Sequence, residues 1–124
     1  MRYKTAELTG TKLDAAVGKS LGLTTGIRDR TGLPLFKTYQ TEGLLAGEPA
    51  ENNYFEPSCV WAHGGPIIDR ALISLEFDTA TRIWTATHPG VPGVMPPKSM
   101  HAESPLVAAM VAFVRVRLGD EVDL

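Results

Sequence analysis

The sequence predicts an α+β fold: a small antiparallel sheet of two to three strands packed against an N-terminal and a C-terminal helix. Three observations carry this expectation. A capped amphipathic segment lies at 10–21. Two strand-like runs, 72–77 and 82–88, flank a short polar turn. An apolar helical run from Pro105 to Leu118 ends at a glycine.

The first helix is placed at 10–21. Thr9 or Thr11 can cap it, and Thr11 with Asp14 three residues on has the form of a capping box with the shorter acid. Leu13, Ala16, Val17 and Leu21 recur on one face, Leu8 can staple the entry, and Gly22 is a natural stop. Residues 24–32 read as a polar turn region. Leu33 to Tyr39 reads as a short edge strand, because Pro34 excludes a central position. Residues 40–58 read as a long loop.

The segment Trp61-Ala62-His63-Gly64-Gly65-Pro66-Ile67-Ile68-Asp69-Arg70 is the most chemically varied stretch. It reads as an irregular corner in which Gly64 and Gly65 take positive φ or pack closely and Pro66 starts a short helix. Ile67 and Ile68 then enter the core under Trp61. Leu72–Phe77 and Arg82–His88 are strands, with Asp78-Thr79-Ala80-Thr81 as the hairpin turn. On the second strand Ile83, Thr85 and Thr87 share one face, and Trp84, Ala86 and His88 the other. Residues 89–104 hold six Pro or Gly between 89 and 97 and read as a second long loop. In the last helix Ser104 caps, Pro105 takes the first position and Gly119 ends it. That helix is apolar nearly all round, which demands cover on every side. Either the sheet and the first helix supply it, or a second subunit does.

The chain has 124 residues and reads as a single domain, 1–124. Hydrophobic residues are 44% and charged residues 21%, the balance of a soluble globular protein. No apolar run nears the ~20 residues of a membrane span, and the first residues lack a signal-peptide core. One cysteine, Cys59, makes no internal disulfide. A cytoplasmic location is the resulting expectation. The net charge of −2 gives no support to general nucleic-acid binding, although residues 1–30 are mildly basic.

Catalytic patterns fail on their spacing. Gly18-Lys19-Ser20-Leu21-Gly22 matches a nucleophile elbow, but the serine lies at a helix end, where that chemistry needs a strand before it. The same residues end like a phosphate-binding loop, yet Leu13 occupies the position of its leading glycine. Cys59 and His63 have thiolate–imidazole spacing only if a helix spans both. Cys59, His63, His88 and His101 form none of the paired spacings of metal sites, so no metal and no cofactor are expected. Asp69 and Glu76 stand apart as candidate acids, and a helix-dipole contact or the adjacent Arg70 explains Asp69 without catalysis. No catalytic residue is assigned.

Three blocks, in order along the chain, resemble the NinX-like proteins of phages and prophages. The first is Glu7-Leu8-Thr9-Gly10 with Leu13-Asp14 and Ala16-Val17. The second is Trp61-Ala62 with Gly64-Gly65-Pro66-Ile67-Ile68-Asp69-Arg70. The third is Ser104-Pro105-Leu106, Ala108-Ala109-Met110 and Phe113-Val114, closing with Gly119-Asp120-Glu121-Val122. Residues 23–57 give no clear match. The resemblance implies a small phage- or prophage-encoded cytoplasmic protein and brings no established activity. His63 stands where the family pattern leads one to expect a variable, often amide, residue, so the resemblance gives it no catalytic part.

The leading expectation is therefore a non-enzymatic accessory protein that acts by association, as a homodimer through the 105–118 helix and with an unidentified protein partner. The alternative is a small-molecule or enzymatic site built from Trp61, His63, Gly64, Gly65, Pro66, Asp69 and Arg70. A second alternative is nucleic-acid association through the basic N-terminal third with Tyr3 and Tyr39.

Overall fold

A computed structural model describes residues 1–41 and 54–124. Among these, strand β1 (Arg2–Lys4) leads into helix α1 (Gly10–Ser20). Helix α2 (Trp61–Ala71) is followed by β2 (Ser74–Asp78), β3 (Ile83–His88) and β4 (Lys98–Ala102). Helix α3 (Pro105–Leu118) and strand β5 (Glu121–Asp123) complete the chain. β2, β3 and β4 form an antiparallel meander, and β1 pairs antiparallel with β5 in a separate ribbon. The α+β architecture with helices near both ends is the one the sequence predicts.

Helix α3 is the axis of the core. The Ser104 hydroxyl accepts from the Val107 N–H at 3.3 Å, Pro105 occupies the first turn, and Gly119 at φ 91° ends the helix. Leu106 and every residue from Ala108 to Val114 are buried. One side of α3 lies on β3 and β4, and other sides meet α1 and α2. The apolar excess of this helix is thus largely covered within the chain, with Val107, Val116 and Leu118 half-buried. Ala108, Ala109 and Ala112 are fully buried, and small side chains at these positions let neighbouring backbones come close. The sheet turns Trp84, Ala86 and His88 toward α3, with Ala86 and Met100 opposed in the register. Its outer face is polar, with Thr85 Oγ1 2.8 Å from His101 Nδ1 and Thr87 Oγ1 2.9 Å from Ser99 Oγ.

Helix α1 begins after Thr9, whose side chain makes no cap. Asp14 does not reach back as a capping-box acid, because its carboxylate is engaged at Ser58. The helix stops where Gly22 takes φ 78°. Its N–H donates to the Lys19 carbonyl and that of Leu23 to the Gly18 carbonyl, the paired bonds of a Schellman stop.

Four expectations need correction. Leu33–Tyr39 is not an edge strand: it makes isolated bridges, Arg28 with Pro34 and Lys37 with Tyr54, then a 3-10 turn at Thr38–Thr41. Pro34 has no N–H to extend a ladder. The 89–104 segment is not one loop, since β4 lies within it and Val91 and Met95 close a small hairpin. Helix α2 starts at Trp61 and carries Pro66 inside it. The bond that Pro66 omits frees the carbonyl of Ala62, an exposed residue, where water replaces the lost donor. Trp61 does not lid the core but is 54% exposed. Of the expected 40–58 loop, residues 42–53 lie outside the described residues, and Phe55 donates its N–H to Phe36 O at 2.8 Å.

Candidate functional site at the Asp14 cavity

The residues singled out in α2 do not converge. His63, Gly64 and Ile67 face inward, while Trp61, Asp69 and Arg70 are exposed. His63 and Arg70 are separated by about 10 Å of helical rise. His63 Nδ1 accepts the Glu56 N–H at 2.9 Å, and its ring lies 5.7 Å from that of Phe55. This ring nitrogen is therefore occupied as an acceptor, fixing the turn that precedes α2. Gly64 serves close packing: a Cβ there would lie 2.6 Å from the Pro57 carbonyl oxygen and 2.7 Å from Leu106 Cδ2. Gly65 faces open space.

The 54–60 turn is held a second time from α1. Ser58 N–H donates to Asp14 Oδ1 at 2.8 Å, and the Asp14 side chain is buried. Burial pushes the Asp14 carboxyl up from 3.8 to about 6, because it outweighs the stabilising bonds from the Ser58 backbone and side chain. The nearby Glu56 charge pushes it further in the same direction. Cys59 sits in the same turn, its Sγ 3.8 Å from a Glu56 carboxylate oxygen. Desolvation, then the negative charges of Asp14 and Glu56, raise its pKa. This is the reverse of what an activated thiolate requires.

Beside Asp14 lies a cavity of about 140 Å³, lined among others by Thr11, Phe36, Tyr54, Phe55 and Glu56. Helix α1 supplies Thr11 and Asp14, and the bridged segments around 34–37 and 54–56 supply the aromatic walls. The arrangement joins a buried carboxylate to an apolar, ring-sized space. Sequence reasoning assigned Asp14 to a helix cap and placed 54–56 in a loop. The one available signal was an acid amid Leu13, Ala15, Ala16 and Val17, on the side of α1 that the core must cover.

Other candidate residues are dispersed. Ser20 Oγ donates to the Ala16 carbonyl at 2.8 Å inside α1, so the elbow-like motif is a helix end. Among the described residues no group of three or more His, Cys, Asp or Glu is arranged to hold a metal ion. Buried His88 accepts the Gly90 N–H at Nδ1, 2.9 Å away, and its burial, then the Arg117 charge, lowers its pKa. It acts as a neutral brace for the loop that follows.

That loop is built to project apolar side chains. Val94 N–H donates to the Val91 carbonyl across Pro92-Gly93, with Gly93 at φ 77°, the geometry of a type II turn. Val94 is 80% exposed at its tip. Leu72, 75% exposed, stands at the same end of the sheet, since Ser74 pairs with Thr87.

In the basic N-terminal third, by contrast, Arg2 and the chain's amino group meet the acidic C-terminus. Arg2 pairs with Glu121 at 3.4 Å, the Met1 ammonium with Asp123 at 3.2 Å, and Lys12 lies over the Tyr3 ring. Arg115 and Asp120 meet at 2.7 Å. The β1–β5 ribbon thus alternates charges of both signs, unlike the concentrated basic face of a phosphate-backbone binder. No helix among the described residues is long and apolar enough to cross a membrane.

Comparison with protein families places these features. The family model described as Bacteriophage P22, NinX matches residues 4–117. Comparison with curated protein sequences finds no match.

Proposed function

Because the chain belongs to the bacteriophage P22 NinX family, we propose that it is a phage- or prophage-encoded accessory protein that works in the bacterial cytoplasm by associating with another protein. The carrying observation is the hydrogen-bonded apolar tip at Val91–Met95. An 80%-exposed valine on a hydrogen-bonded, proline-fixed turn loses little further freedom on docking. Leu72 is a second exposed apolar side chain at the same end of the sheet. Helix α3 spends most of its apolar face on β3, β4, α1 and α2, which favours this end of the sheet over the 105–118 helix as the place of association. The partner is a second copy of the chain or a different protein.

The test is site-specific photo-crosslinking in phage-infected cells. A benzophenone side chain at Val94 is expected to capture one discrete protein, whose mass identifies it as a second copy or another species. The same probe at Thr79, in the turn at the opposite end of the sheet, is expected to capture none. No adduct at Val94, or equal labelling at both positions, overturns the reading. Val94→Asp is expected to leave the thermal melt within about 0.5 kcal/mol of the parent, because the side chain makes little contact in the free protein.

A further inference from the structure

We propose that the cavity beside Asp14 is a binding site for a small planar cation of the amidinium or guanidinium type, carried on a ring-sized apolar body. Size sets the first limit. The space is about 140 Å³, and a cavity of about 150 Å³ holds one benzene ring. It therefore takes about one ring, with the head group at its edge, not a dinucleotide or a drug-sized molecule, for which pockets begin near 300 Å³.

Wall chemistry sets the second limit. Phe36 and Phe55 are buried, and Tyr54 presents a third ring. These surfaces favour a flat apolar body. Asp14, only 9% exposed, lines the same space. Among the described residues its donors come from Ser58. The other charged group at the wall is Glu56, also acidic. Two carboxylates exclude an anionic ligand and attract a cation.

Among the described residues no cation is paired with either acid. Lys37 lies over the Tyr54 ring at 3.9 Å from its centroid, and neither Asp14 nor Glu56 is in an ion pair among the described residues. A planar N–H fork matches a carboxylate through two parallel bonds, which a rounded ammonium cannot reproduce. The raised pKa of Asp14 agrees with this geometry: burial outweighs the bonds from Ser58.

The probe is benzamidine, with benzoate as the control of the same ring and opposite charge. Amide chemical shifts of the intact protein are followed at pH 7.5. Benzamidine is expected to shift Thr11, Ala15, Phe36 and Phe55 in a saturable manner, with a dissociation constant in the millimolar range or tighter. Benzoate is expected to leave them unmoved. Asp14→Asn, which keeps an acceptor for Ser58, is expected to weaken benzamidine at least tenfold, and Glu56→Gln severalfold. The folded state of each variant is confirmed by its amide spectrum. Absence of a saturable benzamidine shift, an equal response to benzoate, or undiminished binding by both variants overturns the proposal.

Discussion

Replacing Gly64 and Gly65 one at a time is expected to move stability in opposite directions. Both glycines lie inside α2, and alanine is the better helix former by about 1 kcal/mol. At Gly65 nothing outside its own helix lies within 4 Å of an added Cβ, but a side chain before Pro66 is disfavoured in helical backbone, so Gly65→Ala is expected to stabilise by no more than about 0.5 kcal/mol. At Gly64 the added carbon meets the Pro57 carbonyl oxygen at 2.6 Å and Leu106 Cδ2 at 2.7 Å. The Leu106 methyl can swing away, but the Pro57 oxygen belongs to the backbone of the turn that His63 and Asp14 hold. Forcing α2 off that turn is expected to cost about 2–3 kcal/mol. After the helix-propensity gain, Gly64→Ala is left destabilised by about 1–2 kcal/mol. Thermal melts should therefore separate the two variants by about 8 °C, taking about 4 °C per kcal/mol. Equal shifts for both variants would show that α2 does not press on the 57–58 turn.

The same pair of residues shows where the sequence was legible. The Ser104-Pro105 cap and the stops at Gly22 and Gly119 were readable, because they act through their own backbone geometry; the capping box of α1 was not, because Asp14 is engaged at Ser58. The β2–β3 hairpin was readable from its two runs and polar turn. Gly64-Gly65-Pro66 was misread as a corner, since glycine used for close approach looks like glycine used for positive φ. Only the position of Pro57 and Leu106 distinguishes them. β4 was missed because Lys98-Ser99-Met100-His101-Ala102 has weak strand propensity, and its pairing with β3 decides it. The β1–β5 ribbon joins residues more than a hundred positions apart, a pairing that local pattern does not encode. The Asp14 cavity was hidden for the same reason. Its walls come from α1 and from two segments around 35 and 55 that only tertiary structure brings together.

Asp14→Asn is expected to stabilise the protein at pH 7.5 by about 2–3 kcal/mol and to change it little at pH 4. The sign follows from the raised carboxyl. Asp14 titrates at about 6 in the folded chain against 3.8 as its ordinary value, a difference of roughly 3 kcal/mol between the two protonation states. Below pH 3.8 the acid is protonated in both states, and its favourable contribution is fully present. As pH rises through 6 the folded chain must ionise a buried group, and that stability is lost. Asparagine removes the charge and keeps an oxygen for the Ser58 N–H. His88, with its lowered pKa, works in the opposite direction, its stability being lost as pH falls. It is common to parent and variant, so the difference between their stability curves isolates Asp14. Denaturant unfolding of both proteins from pH 4 to 8 measures that difference directly. A variant destabilised equally across the range would make Asp14 a simple structural tether. The expected outcome has a further consequence. A residue whose replacement stabilises the fold while weakening benzamidine binding is a group held at a cost for its ligand, the usual relation between stability and function at a binding site.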